Sequence, residues 1–117
     1  MKFKYLLDEH IPPNYRTQLI RFDPELVVRM IGDPHAPPKS TPDPDILIWC
    51  EINNFIFVTN NRKSMPGHLV DHLAQNRHVP GILVVDFERG IGPMLELLAI
   101  VAGASFPGEY RDRIQYL

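Results

Sequence analysis

The chain has 117 residues, of which 44% are hydrophobic and 22% are charged, and this balance predicts one globular domain with its own core. The net charge of −2 excludes a global electrostatic attraction to nucleic acid, so any RNA binding needs a local basic patch. The single cysteine, Cys50, excludes an internal disulfide and a multi-cysteine metal site. No secretory signal and no apolar run long enough for a bilayer are visible, so we expect a cytoplasmic protein that does not contact membranes.

The first half of the chain alternates between apolar strands and helices. "FKYLL" (3–7) predicts a strand that ends at the acids of "DEH", and "IPPNYRTQLIRF" predicts a helix with prolines in its first turn. "ELVVRMI" (25–31) predicts the second strand, and the proline-rich segment 32–44 predicts a loop of functional length. "PDPDILIWCEINN" predicts a second helix, for which Asp43 is the expected N-cap.

The second half continues the alternation. "FIFVT" (55–59) is a continuous apolar run, which is typical of a strand in a sheet covered on both faces. "PGHLVDHLAQN" predicts the third helix, "GILVVD" (81–86) the fourth strand and "GPMLELLAIVAGA" the fourth helix. Residues 105–117 are expected to form a C-terminal tail or a short helix, with Tyr110, Ile114 and Leu117 on one face. The pattern predicts a single α/β domain, residues 1–117, built as a three-layer α/β/α sandwich with a mainly parallel four-stranded sheet.

Polar side chains follow each predicted strand, and in a parallel sheet these positions meet at the edge where ligands bind. Carboxylates there could form a cluster for Mg²⁺ or Mn²⁺, ions that prefer oxygen ligands and support phosphodiester hydrolysis. The candidates are Asp8, Glu9, Asp43, Asp45 and Asp86. The alternative is that acids at strand ends only cap helices and close turns.

Other polar patterns are less specific. His68 and His72 have the spacing of a zinc pair, but no third ligand is evident, and a solvated helix face explains them better. Basic side chains near the same edge could hold an RNA backbone, or they could be ordinary charges on loops. They are Arg62 and Lys63, with Arg16, Lys39 and Arg77 as further candidates.

Four motifs together resemble a known family. "LLDEHIPP", "PDPDILIWC", "FIFVTNNRKSM" and "PGILVV", in this order, resemble the compact PIN-like proteins related to VapC toxins. The resemblance spans roughly residues 4–85. It implies a parallel α/β/α sandwich, metal-dependent endoribonuclease activity in active members, pairing with a small DNA-binding antitoxin protein, and a homodimer.

The resemblance also implies roles for the acids. Asp8 matches the first metal-binding aspartate, with Glu9 as its usual neighbour. Asp43 matches the acid that starts the second helix, and Asp45 is the alternative at that place. These four residues are therefore the expected metal ligands.

The third motif departs from the family pattern. In active relatives it reads approximately threonine, asparagine, aspartate, arginine, aspartate. Here Thr59, Asn60 and Arg62 are kept, but Asn61 and Lys63 stand where the two aspartates would be. An amide supplies no negative charge and an ammonium repels a cation, so the motif does not favour a site for two metals. Either Asn61 is a neutral ligand of one ion, or Lys63 takes the place of the second.

Two hypotheses follow. The first is a PIN-like protein of toxin–antitoxin type, a Mg²⁺- or Mn²⁺-dependent endoribonuclease with a degenerate third acidic motif. Its expected catalytic residues are Asp8, Asp43, Asn61 and Lys63, and its expected RNA phosphate contacts are Asn60, Arg62 and Lys63. The second is a catalytically inactive PIN-like protein that binds a partner through the 32–44 loop or through apolar anchors of the C-terminal tail, or that binds RNA without cleaving it.

Overall fold

Residues 3–117 are described by a computed structural model, in which they form four α-helices and one five-stranded sheet. The strands are β1 (Lys4–Leu7), β2 (Val27–Met30), β3 (Ile56–Thr59), β4 (Ile82–Val84) and β5 (Ile114–Tyr116). The helices are α1 (Asn14–Phe22), α2 (Asp43–Asn53), α3 (Met65–Ala74) and α4 (Ile91–Ala104), with a 3-10 turn at Phe87–Arg89. No helix among residues 3–117 combines the length and the apolar character needed to cross a membrane.

The strands lie in the order β2-β1-β3-β4-β5, and every neighbouring pair is parallel. The α/β class expected from the alternation of strands and helices is therefore confirmed, with an all-parallel sheet. Each crossover from one parallel strand to the next needs a helix or a long loop, which the chain supplies between all five strands.

The sheet has one strand more than the sequence predicts. Residues 105–117 contain β5 instead of a short helix, because the N–H of Leu117 bonds the carbonyl of Val84 at 2.9 Å and extends the ladder beside β4. Asp112, just before this strand, has a φ of 59°, which a continuing helix does not allow. The spacing of apolar residues in the tail suggested a helix, whereas pairing with β4 decides the outcome.

Alternate strand residues belong to two separate core clusters, as expected when successive side chains point to opposite faces of a sheet. The first core cluster combines strand residues with α1 and α4, and its strand members include Tyr5, Leu7, Ile56, Val58 and Leu83. The second core cluster combines strand residues with α2 and α3, and its strand members are Leu6, Phe57, Ile82 and Val84. Cys50 is fully buried in the second core cluster, in agreement with a packing role.

The C-terminal segment packs on the domain itself. Tyr110 is buried in the first core cluster and contacts the ring of Phe3 edge-on, with 6.2 Å between ring centroids. Ile114 and Leu117 are partly buried against the two clusters. The expectation that these three side chains offer surface anchors to a partner is therefore wrong for Tyr110, which the core uses.

Candidate functional site

The carboxyl edge of the sheet has a reversal in its strand order between β1 and β3. From β1 the chain goes to β2 on one side, whereas β3, β4 and β5 lie on the other side. In open parallel sheets, such a reversal leaves a crevice beyond the strand ends, and ligands bind there. Asp8 directly follows β1 and Thr59 ends β3, so both residues lie at this crevice.

Asp8 is a buried carboxylate with fixed partners. Its side chain accepts a hydrogen bond from the Thr59 hydroxyl at 2.8 Å and another from the backbone N–H of Glu9 at 2.8 Å. Burial raises the pKa of the Asp8 carboxyl, these two hydrogen bonds oppose the increase, and the negative charge of nearby Asp43 adds to it. The carboxylate is thus held rigidly at a place where its own charge is unfavourable.

Asn61 connects Thr59 to Asp43. Its backbone N–H donates to the Thr59 hydroxyl oxygen at 3.1 Å, and its amide nitrogen donates to Oδ2 of Asp43 at 3.0 Å. The amide oxygen of Asn61 accepts the N–H of Ser64 at 3.2 Å, which fixes the orientation of the amide. Asp8, Thr59, Asn61 and Asp43 therefore form one continuous set of hydrogen bonds, called the Asp8–Asp43 network below.

Asp43 takes a different role from the N-cap that its position suggests. Pro42 is the N-cap of α2, with an extended backbone at ψ 144°, and no side chain caps this helix end. Asp43 is the first helical residue, so its carboxylate is available to Asn61. Asp45 is exposed and follows two residues later, and side chains two apart on a helix point to opposite sides, so Asp45 faces away from the network.

The other predicted acids have separate partners. Glu9 accepts the N–H of Ser40 at 2.8 Å and ties the 32–44 loop to the end of β1. Asp86 accepts the N–H of Glu88 at 3.0 Å and starts the 3-10 turn after β4. Within residues 3–117, no three or more His, Cys, Asp or Glu side chains are grouped to hold a metal ion. Of the five predicted carboxylates, the network brings together Asp8 and Asp43.

Sequence reasoning missed His68 as a neighbour of this site. Its Nε2 lies 3.7 Å from Oδ2 of Asp43. The i, i+4 spacing directed attention to a zinc pair with His72, but His72 is buried, with Nε2 2.9 Å from the carbonyl oxygen of His78 and 3.3 Å from Oε1 of Glu51. The two histidines thus serve different neighbours. The usable signal for His68 was its position one turn into the helix that follows the polar 60–64 loop.

The predicted cations fall into two groups. Arg62 and Lys63 are exposed beside the network, and the guanidinium carbon of Arg62 lies 5.2 Å from the centre of the Tyr116 ring. Asn60, at the start of this loop, is also exposed. By contrast, Arg16 is paired with Asp33, and Arg77 is paired with Glu51 at 3.2 Å, beyond the far end of α3. Arg77 is therefore not part of the edge where the sequence placed it.

A cavity of about 470 Å³ opens at the opposite, amino edge of the sheet. Its lining is mainly apolar and includes Phe3, Ile56, Val79 and Pro80, together with the charged residues Lys4, Glu51 and Arg111. β3 begins at Ile56 and ends at Thr59, so roughly 10 Å of strand separates this cavity from the Asp8–Asp43 network. The cavity is a separate feature of the surface.

The carboxyl edge therefore combines two linked carboxylates with a histidine and two exposed cations. Carboxylate oxygens suit one hard cation, and exposed arginine and lysine suit phosphate oxygens. Compared with protein-family models, with curated proteins and with solved structures, the chain has no match in any of the three comparisons.

Proposed function

We propose that the chain is a PIN-like protein of toxin–antitoxin type that cleaves RNA in the cytoplasm with one Mg²⁺ or Mn²⁺ ion. The observation that carries the proposal is the Asp8–Asp43 network, because it joins acids from β1 and α2 at the crevice of a parallel sheet. The three-layer α/β/α sandwich belongs to the same proposal. It is supported by the two core clusters, each of which combines strand residues with two helices.

Two carboxylates are enough ligands from the protein for one hard cation. Mg²⁺ is commonly bound by one or two carboxylates, and water and substrate phosphates supply its other ligands. Asp8 and Asp43 would hold the ion, Glu9 would keep the 32–44 loop in place, and the ion would neutralise the charge that develops on the phosphate. Because Asn61 brings no charge and Lys63 brings a positive charge, we propose one ion instead of two.

The chain's own cations would position the RNA. In the hydrolysis, the oxygen of a water molecule bonds to phosphorus and the bond from phosphorus to the leaving ribose oxygen breaks. The water loses a proton to solvent, and the leaving oxygen takes one from solvent. Arg62 and Lys63 are exposed beside the network and would contact the phosphate oxygens, where positive charge stabilises the transition state. His68 would orient the Asp43 carboxylate from 3.7 Å.

A second candidate function is RNA binding by a catalytically inactive PIN-like protein. The observation that favours it is the amide of Asn61, which donates to the Asp43 oxygen that a cation would otherwise use. Arg62 and Lys63 would still bind the RNA backbone in that case. The small DNA-binding antitoxin and the homodimer remain predictions from the family resemblance under both functions.

The first test is a titration with Mn²⁺ followed by thermal unfolding. A cation that binds only the folded protein stabilises it by about 2.7 kcal/mol at a hundred times its Kd, so we expect a rise in Tm on the order of 10 °C. Asp8→Asn should lose most of this rise, because it removes one of the two charged ligands. Asp71→Asn is the matched control, since Asp71 is exposed on α3 and should keep the full rise. A wild-type protein whose Tm ignores Mn²⁺ would reject the metal site.

The second test is cleavage of a mixed RNA pool in Mn²⁺. Cleavage that is lost in Asp8→Asn and in Asp43→Asn, and kept in Asp71→Asn, supports the nuclease. RNA that is bound but left intact by the wild-type protein supports the second candidate function. The two proposals are therefore separated by product formation and not by affinity.

A further inference from the structure

Four residues from four strands or strand ends lie in one row across the carboxyl edge. Asp8 and Thr59 directly continue the paired register of β1 and β3. Thr59 is paired with Val84 in β4, and Val84 is paired with Tyr116 in β5. Because neighbouring strands lie about 4.8 Å apart, the Cα of Tyr116 is roughly 10 Å from the Cα of Thr59.

The side chains of this row point to the same side of the sheet. Residues that face each other in a parallel register share a face, and Val84 belongs to the second core cluster. Asp8, Thr59 and Val84 are buried, whereas Tyr116, the last member of the row, is 43% exposed. The Tyr116 ring therefore lies at the exposed end of this row, on the same face of the sheet as Asp8 and Thr59.

Arg62 adds a cation to this ring. Its guanidinium carbon is 5.2 Å from the ring centre, within the range of a cation–π contact. Arg62 directly follows Asn61, so one loop contacts both Asp43 and Tyr116. Among residues 3–117, Tyr116 is the exposed aromatic ring that has an arginine over its face.

We propose that Tyr116 and Arg62 form a stacking platform for one base of a single-stranded RNA, next to the phosphodiester held at the Asp8–Asp43 network. This inference rests on the proposed function and adds the substrate class to it. Aromatic rings and guanidinium planes stack on bases of any sequence, but only on bases that are free from their own helix. A duplex keeps its bases stacked on each other, so the platform favours unpaired RNA.

The test measures binding of a fluorescein-labelled oligouridine by anisotropy, in EDTA so that metal-dependent cleavage cannot interfere. Tyr116→Ala should raise the Kd on the order of tenfold, because alanine removes the stacking surface. Tyr116→Phe keeps the ring and should stay close to the wild-type affinity. Phe106→Ala is the matched control, because Phe106 is an exposed aromatic residue that follows α4 at the amino edge, and it should have no effect.

A second ligand separates stacking from a structural effect. An abasic ribose–phosphate chain of the same length has no base to stack, so wild type and Tyr116→Ala should bind it equally. An equal loss of affinity for both ligands in Tyr116→Ala would overturn the inference, because it would mean that β5 is damaged. Unchanged oligouridine binding by Tyr116→Ala, in a protein that cleaves RNA, would overturn the platform and leave the nuclease intact. A wild-type protein that neither binds nor cleaves RNA would remove both proposals.

Discussion

Asn61 places a neutral hydrogen-bond donor beside Asp43, where the resembled family has an aspartate. Its amide nitrogen lies 3.0 Å from the Asp43 carboxylate, and its oxygen is held by the N–H of Ser64. The amide of Asn61 donates a hydrogen bond that offsets part of the negative charge of Asp43, the charge that raises the pKa of nearby Asp8. Asn61, the residue that departs from the pattern of the resembled family, therefore stabilises the protein through its hydrogen bond to Asp43.

Asn61→Asp tests this compensation. The substitution replaces a hydrogen bond to a charged group with a contact between two carboxylates, so we expect the metal-free protein to lose about 1–2 kcal/mol of unfolding free energy. Mn²⁺ should restore the loss and produce a larger rise in Tm than in the wild type, because a third carboxylate adds charge to the site. Urea unfolding with and without Mn²⁺ measures both effects. A variant that is as stable as the wild type in EDTA would contradict the proposed compensation.

At the scale of residues, the sequence identified the main partners but not their roles. Asp8, Asp43 and Asn61 were expected at one edge, and the structure joins them through Thr59. The N-cap expectation for Asp43 failed because Pro42 adopts the extended conformation that precedes the helix. His68 was missed because helical spacing shows which residues share a face but not which neighbour that face meets.

At the scale of elements, the residue before β4, Gly81, lies very close to Tyr110 in the segment that leads into β5. A Cβ placed on Gly81 would lie 2.8 Å from Cβ of Tyr110 and 3.1 Å from its carbonyl oxygen. The carbonyl oxygen of Gly81 accepts a hydrogen bond from the N–H of Phe57 in β3 at 3.1 Å. This bond holds the backbone at Gly81 in place, so it cannot move away from Tyr110 freely. Glycine is required here by space, at the point where the C-terminal segment turns into the sheet.

Gly81→Ala should therefore destabilise the protein by about 1–3 kcal/mol, the usual cost of an overpacked position. Gly67→Ala is the matched control, because a Cβ on Gly67 meets nothing within 4 Å and alanine is the better helix former. We expect the control to be neutral or more stable by up to about 1 kcal/mol. The urea midpoint should therefore fall for Gly81→Ala and should stay the same or rise for Gly67→Ala. Equal urea midpoints for the two variants would mean that an alanine side chain at position 81 fits beside Tyr110 without strain.

The fifth strand shows where patterns along the chain are insufficient. The first four strands are apolar segments with turn signals after them, and each was expected close to its observed position. β5 is a short segment, "IQY", in which one of three residues is polar and exposure is mixed. Its formation depends on the unpaired edge of β4, which is a property of the assembled sheet and not of the segment.

At the scale of the whole molecule, buried and paired carboxyl groups make stability depend on pH with opposite signs. Asp8 has a raised pKa, so its ionisation weakens the folded state as the pH rises. Burial alone would raise the pKa of Asp112, but hydrogen bonds from His78 and from the N–H of Val79 outweigh it and lower the pKa. A carboxyl whose pKa is lowered by folding stabilises the protein at pH values above its pKa in the unfolded chain. This stabilisation is lost as the pH falls through its pKa in the folded protein.

Asp112→Asn isolates the second contribution. Asp112 has a φ of 59°, which asparagine also tolerates, so the backbone should be retained. We expect the variant to lose about 1–2 kcal/mol near neutral pH, since hydrogen bonds to a charged acceptor are weakened. The difference from the wild type should shrink as the pH falls below about 4, where the unfolded carboxyl is protonated. A difference that is constant across this range would show that the charge of Asp112 is not responsible.

The two contacts of α3 link opposite ends of the domain. His72 is anchored by Glu51 and by the carbonyl of His78 near the amino edge, while His68, one turn earlier, meets Asp43 at the carboxyl edge. Both side chains project from the same side of the helix. The rotation of α3 about its axis therefore sets the direction of both. The contacts of buried His72 therefore fix the rotation of α3 about its axis, and this rotation places His68 beside Asp43.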